Sequence, residues 1–157
     1  VRFMMLNRSN DVELDFDFDK VKEKTKDNPV FYVQYAFARI NSLHRTLNIN
    51  LESNIVLNEK LFFLNPNEEK IIRKILEWPK VIESASKKFE VHKIPFYLYD
   101  LSTLFHSYWS KGNKDKKFKF IENNKIKRNE TLAIIKLINV VIKNGMKILG
   151  VSLPEKM

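Results

Sequence analysis

The 157 residues include no cysteine, which excludes disulfides, thiolate metal sites and cysteine nucleophiles. Glycine is nearly as scarce, with three positions, and proline has five. A barrel or sandwich built on many tight turns needs more of both, so the shortage favours helices. No apolar run approaches the roughly 18 residues of a membrane span, and no signal-peptide apolar region opens the chain. The expectation is a cytoplasmic protein with no membrane partner. The sequence starts at Val1 and not at methionine, which reads as a piece of a longer chain.

Catalytic chemistry is short of parts as well. Gly112, Gly145 and Gly150 are the only glycines, and none opens a strand-to-helix turn able to cradle phosphate. His44, His92 and His106 lie far apart, with no i, i+4 pair and no glutamate in zinc-ligand register. Asp100 precedes His106 by six residues, about 600° of helical rotation, so their side chains diverge. His106 reads as a helix-face histidine. Five carboxylates alternate from Asp11 to Asp19, but Lys20 and Lys26 stand where a calcium loop starting at Asp15 needs glycine and glutamate. No catalytic residue, metal ligand or bound cofactor is assigned to this chain.

What is present is a globular composition, 44% hydrophobic and 30% charged, of a size that fits one core. The net charge is +9, with 28 Lys plus Arg against 19 Asp plus Glu. Residues 111–128 hold most of that excess, including Lys116, Lys117 and Lys119. Such a balance suits a nucleic-acid partner. Only six of the basic residues are arginine, so AT-rich codon usage is a competing source of the lysines.

Periodicity predicts an all-α fold, a bundle of about five amphipathic helices. Residues 11–19 alternate as an extended strand would, with a capped short helix following to about residue 26. Asn28-Pro29 and Asn65-Pro66 each place a capping side chain before a proline at the first helical position. Val33, Ala36, Phe37, Ile40, His44 and Leu47 form the apolar face of a helix ending near residue 48. Residues 49–64 read as a loop. Ile71, Ile72, Ile75 and Leu76 face the core, and Trp78-Pro79 begins a further helix reaching about Phe89. Pro95 opens the next, which Gly112 stops. Leu132, Ile135, Asn139, Ile142, Met146 and Leu149 share a seam from Asn129 to Leu149, with Gly150 as the C-terminal stop.

One stripe is not explained by the apolar faces. Tyr32, Tyr35, Arg39 and Ser42 recur at three and four residues beside the core face of the Pro29 helix. Partly open tyrosine rings next to a guanidinium suit unstacked bases. Phe105, His106, Tyr108 and Trp109 form a second aromatic cluster that runs into the basic loop. Both clusters can equally be core aromatics, and the neighbouring charge favours single-stranded RNA.

Four runs then resemble one family in order. Val1–Ser9 with Leu14–Asp19 resembles the link after the catalytic domain of arginyl-tRNA synthetases. Asn28–Ile40 (NPVFYVQYAFARI) resembles the start of their anticodon-binding domain, Tyr97–Leu101 with Phe105–Tyr108 its middle, and Lys143–Gly150 with Pro154–Met157 its end. The resemblance implies a helical DALR anticodon-binding domain over residues 28–157, with residues 1–27 as linker. It implies that Tyr32, Tyr35, Arg39, Met157 and one of Phe105 or Tyr108 meet the anticodon loop of the arginine tRNA. Lys116, Lys117 and Lys119 would follow RNA backbone, although the stretch around Lys111–Lys117 is more polar than the family's. The parent enzyme would be a monomeric class I arginine–tRNA ligase using ATP with magnesium and arginine. Its nucleotide-binding signatures are not in these residues, so this part would recognise tRNA and its catalytic domain would perform the chemistry. The related helical domain of cysteinyl-tRNA synthetases and a free-standing interaction module without RNA binding are the alternatives.

Overall fold

The structure, a computed structural model, describes residues 1–9, 12, 13, 17–49, 55, 63–123 and 125–157. Residues 11 and 14–16 of the alternating acidic stretch and most of the 49–64 loop therefore lie outside the described residues. Helix α1 (Arg2–Leu6) is a single turn that inserts Phe3 into the core. Helix α2 (Phe18–Lys22) starts where the backbone N–H of Asp19 donates to the Asp17 carboxylate. It stops four residues before the expected end. The Asn28 side-chain amide takes the carbonyls of Val21 and Glu23, both at 2.8 Å, and turns the chain toward the next helix.

Helix α3 (Pro29–Leu47) follows, capped by Asn28 and closed by Asn48 in the left-handed conformation. One face of it buries Val33, Ala36, Phe37, Ile40 and Leu43. Helices α4 (Pro66–Leu76) and α5 (Trp78–Lys88) are separated only by Glu77, so Trp78-Pro79 bends the path without a loop. Helix α6 (Lys93–Lys114) begins two residues ahead of the expected Pro95. A proline there is still within the first turn, whose N–H groups have no carbonyl to meet. Nor does Gly112 end the helix. Its missing side chain instead admits the following loop, because a Cβ there would sit 2.8 Å from the Phe118 carbonyl oxygen. Helix α7 (Asn129–Ile148) closes with Gly150 at φ 63°, whose N–H donates to Lys147 while that of Val151 donates to Met146. This paired pattern turns the chain sharply out of the helix.

The five long helices make the expected all-α bundle, with α6 packed against α3, α4, α5 and α7. The basic segment is more ordered than a plain loop. It holds a 3-10 turn (Lys116–Phe118) and a two-residue hairpin, β1 (Ile121–Glu122) with β2 (Lys125–Ile126), Ile121 opposite Ile126. A polar joint fastens α4, α6 and α7. Glu68, fully buried, closes a capping box with Asn65 and accepts the hydroxyls of Tyr108 at 2.9 Å and Thr131 at 2.7 Å. The Arg128 guanidinium stands 3.3 Å from the same carboxylate. Buried charge is tolerated only with such full pairing.

Candidate functional site

The tyrosine–arginine stripe of α3 is half-buried, in keeping with a position beside the core face. Arg39 lies across the Tyr35 ring, its guanidinium carbon 4.4 Å from the ring centre, and donates to the Tyr35 hydroxyl. The same guanidinium faces Trp109 of α6 at 5.0 Å. A cation held between two aromatic rings is fixed in place by their electron-rich faces. In the free chain the guanidinium therefore covers one face of Tyr35. Any flat group approaching that face would meet the guanidinium plane or have to move it aside.

His106 supports this stripe from below. It is 5% exposed, stacks on Tyr35 at 5.3 Å and packs at a tilt against Tyr32 at 4.4 Å. Its Nε2 lies 3.2 Å from the Tyr32 carbonyl oxygen, and its Nδ1 lies 3.4 Å from an Arg39 nitrogen. A carbonyl only accepts and a guanidinium only donates, so the ring fits these partners as the neutral tautomer protonated on Nε2. Burial, reinforced by the Arg39 charge, lowers the His106 pKa to about 4 against the opposing bond to Tyr32. The helix-face histidine of the sequence is thus the buried support of the stripe. Only tertiary packing could reveal that, because its three partners are more than sixty residues away. Tyr32 is also turned inward, packed against Tyr99 as well as His106, and burial raises its phenol pKa.

Above the stripe lies an open cleft of about 530 Å³. Tyr35, Arg39, Ser42 and Arg45 line it from α3, Trp109 from α6, and Lys156 with Met157 from the segment after α7. Among the described residues, Arg39, Arg45 and Lys156 border it and no aspartate or glutamate does. The structure therefore brings together Tyr35, Arg39 and Met157, which the sequence separates by more than a hundred residues. Phe105 and Tyr108 are placed otherwise. Phe105 is fully buried, and Tyr108 is 4% exposed with its hydroxyl committed to Asn65 and Glu68. Burial pushes the Tyr108 phenol up to about 12. Neither offers an open ring in this arrangement of the free chain. The middle helix presents Trp109 instead. Its spacing of four from Phe105 and its place at the edge of the basic segment were legible signals.

The basic segment is tied to that tryptophan. Phe120 packs edge-on against Trp109 at 5.3 Å and Tyr108 at 4.5 Å. Ile121 and Trp109 border both the main cleft and a smaller one of about 70 Å³, which Lys119 also lines. Lys116, Lys117 and Lys119 are all exposed. Positive charge therefore flanks an aromatic cleft, an arrangement that favours a polyanion carrying flat bases. Among the described residues, no cluster of histidines and carboxylates could hold a metal ion, and no helix is long and apolar enough to cross a membrane.

Comparisons with known proteins bear on the fold and the family. The family model of the DALR anticodon binding domain matches residues 33–157. An arginine–tRNA ligase of Pelagibacter ubique (strain HTCC1062) is 54% identical over 156 residues, covering 99% of this chain and 27% of that protein. Another, from Roseobacter denitrificans (strain ATCC 33942 / OCh 114), is 41% identical over 160 residues, covering 99% of this chain and 28% of that protein. A crystal structure assigned to an arginyl-tRNA synthetase of Campylobacter jejuni superposes with a TM-score of 0.81 at 26% identity, over 99% of this chain and 32% of that one. The chain spans little more than a quarter of the length of the curated relatives it matches. A helical bundle, an aromatic cleft ringed by cations and a match over four-fifths of its length lead to one assignment: the chain belongs to the DALR anticodon-binding domain family.

Proposed function

We propose that this chain reads the anticodon loop of the arginine tRNA on behalf of an arginine–tRNA ligase. The observation that carries the reading is the cleft shared by Tyr35, Arg39, Trp109 and Met157. Unstacked bases of a loop can settle between such side chains, with hydrogen bonds from Arg39 to a base edge or phosphate. Tyr32, Phe105 and Tyr108 act from beneath, as packing that fixes the upper rings. Lys116, Lys117 and Lys119 meet the phosphate backbone beside Trp109. Residues 1–27 serve as the link to a catalytic domain in the same polypeptide, where ATP with magnesium and arginine are used. The whole protein works as a monomer in the cytoplasm.

The similarity to arginine–tRNA ligases over 99% of the chain supports this partner over a cysteinyl-tRNA. The test is binding of an arginine tRNA transcript beside one with altered anticodon letters and a cysteine tRNA. The arginine transcript should bind at least tenfold more tightly than either. Equal binding of all three removes anticodon reading, and preference for the cysteine tRNA moves the chain to the sister family. No binding of any transcript leaves the interaction module without RNA.

A further inference from the structure

The cleft is completed by a segment with no helix or strand of its own. Residues 151–157 leave α7 through the left-handed turn at Gly150 and pass along α3. A segment of that kind has no backbone ladder to hold its carbonyl groups. Here side chains from elsewhere serve them. Arg2 donates to the Gly150 carbonyl at 3.0 Å, Gln34 to that of Ser152 at 2.9 Å and Arg45 to that of Glu155 at 3.0 Å. Val151 and Leu153 pack against the core between these bonds. Gln34 and Arg45 are eleven residues apart on α3, about three full turns, so both project from one side of it. The segment runs beside α3 in the same direction, and its last anchor lies two residues before Met157.

We propose that Gln34 and Arg45 are positioning residues that strap the 151–157 segment to α3 and so hold Met157 over the cleft. The inference rests on the RNA-binding reading above, but the strap itself can be observed without RNA. Met157 has 54% of its surface exposed, so apolar packing does little to fix it. Without the two donors, its position over the cleft becomes one of many. A methionine that must be captured from a disordered ensemble contributes less to binding, since part of its contact energy is spent on ordering.

The experiment combines methyl-labelled methionine NMR of the free 157-residue chain with binding of an arginine tRNA transcript. The variants are Met157→Ala, Gln34→Leu, Gln34→Leu with Arg45→Met, and the latter pair combined with Met157→Ala. Gln34 does not line the cleft, so its replacement removes a donor without touching the RNA surface. The Met157 methyl signal should move in the donor variants to the position of an unstructured methionine, while those of Met4 and Met146 stay. Met157→Ala should weaken binding about tenfold in the parent and less than twofold in the donor-less pair. Arg45→Lys, which keeps a donor, should restore most of the coupling. If the paired variant melts early, Gln34→Leu alone carries the comparison. An unmoved Met157 signal overturns the strap, as does a full tenfold loss in the donor-less background or no loss from Met157→Ala in the parent. A shifted signal in a chain whose parent binds no tRNA instead overturns the RNA-binding reading and leaves the strap standing.

Discussion

Among the described residues Arg39 is placed by aromatic rings and not by an acidic partner, so its charge stays available to an anionic ligand. Tyr35→Ala removes a ring that a base or the guanidinium can stack on, worth about 1–3 kcal/mol. Arg39→Ala removes a donor whose bidentate contact discriminates by a similar amount. Each should therefore weaken arginine-tRNA binding by roughly tenfold or more, with melting little changed because both side chains are half-buried. Phe37→Ala and Ile40→Ala should do the reverse, costing about 2–5 kcal/mol of stability, because both are buried among the core residues. Melting and tRNA binding on the same four variants separate the two groups. His106 gives a pH signature. Its folded pKa of about 4 lies below its ordinary 6.5, so the unfolded chain binds the proton more readily. Its contribution is complete above pH 6.5 and is lost as the pH falls toward 4. By linkage the loss reaches about 2 kcal/mol at pH 5. Urea unfolding at pH 7.5 and pH 5 should show that difference in the parent and most of it gone in His106→Phe; equal slopes would place the titration elsewhere. Tyr35 and Arg39 were legible in the sequence because helical spacing sets them beside an apolar face. His106 was not, because the rings that bury it come from another helix.

At the scale of elements, the sequence was most readable where local chemistry decides. Both Asn-Pro starts fell where expected, since the capping side chain and the proline act within one turn. Gly112 was misread for an equally physical reason. A glycine near a helix end signals a stop only when the backbone turns left-handed there, and here close approach of Phe118 is what demands the missing side chain. That approach matters for the basic segment, which it fastens to α6 next to Trp109. Replacing Lys116, Lys117 and Lys119 with Gln should flatten the salt dependence of tRNA binding. Each lost phosphate contact lowers the logarithmic slope by about 0.7–0.9, while preference among tRNAs should barely change. The measurement is a salt titration of parent and variant against two transcripts. An unaltered slope would assign these lysines to plain surface charge.

At the scale of the molecule, Glu68 decides how the bundle holds together. One carboxylate serves the start of α4, a tyrosine of α6 and a threonine of α7, and stands next to Arg128. Glu68→Ala leaves the Tyr108 and Thr131 hydroxyls without this acceptor, while Arg128 keeps Glu130 and the Phe63 carbonyl, so the expected cost is about 1–3 kcal/mol for each buried donor left unsatisfied. Urea unfolding should show that loss with all helices melting together, and a loss below about 1 kcal/mol would mean water replaces the carboxylate. By its position after Asn65-Pro66, Glu68 is only an acid in the first helical turn; its role as a three-helix joint needs the tertiary fold. A second long-range tie has a different consequence. The bond from Arg2 to Gly150 joins positions 148 apart, so it encloses almost the whole chain. Closing a loop of that span carries an entropic cost that grows only slowly with length, and the bonds of Gln34 to Ser152 and Arg45 to Glu155 share it. Such a seam is expected to close after the local contacts of the helices, which slower protection of Gly150 than of the α7 interior in pulsed hydrogen exchange would show. The segment that carries Met157 begins at this seam, so the cleft it borders should be the last part of the molecule to be completed.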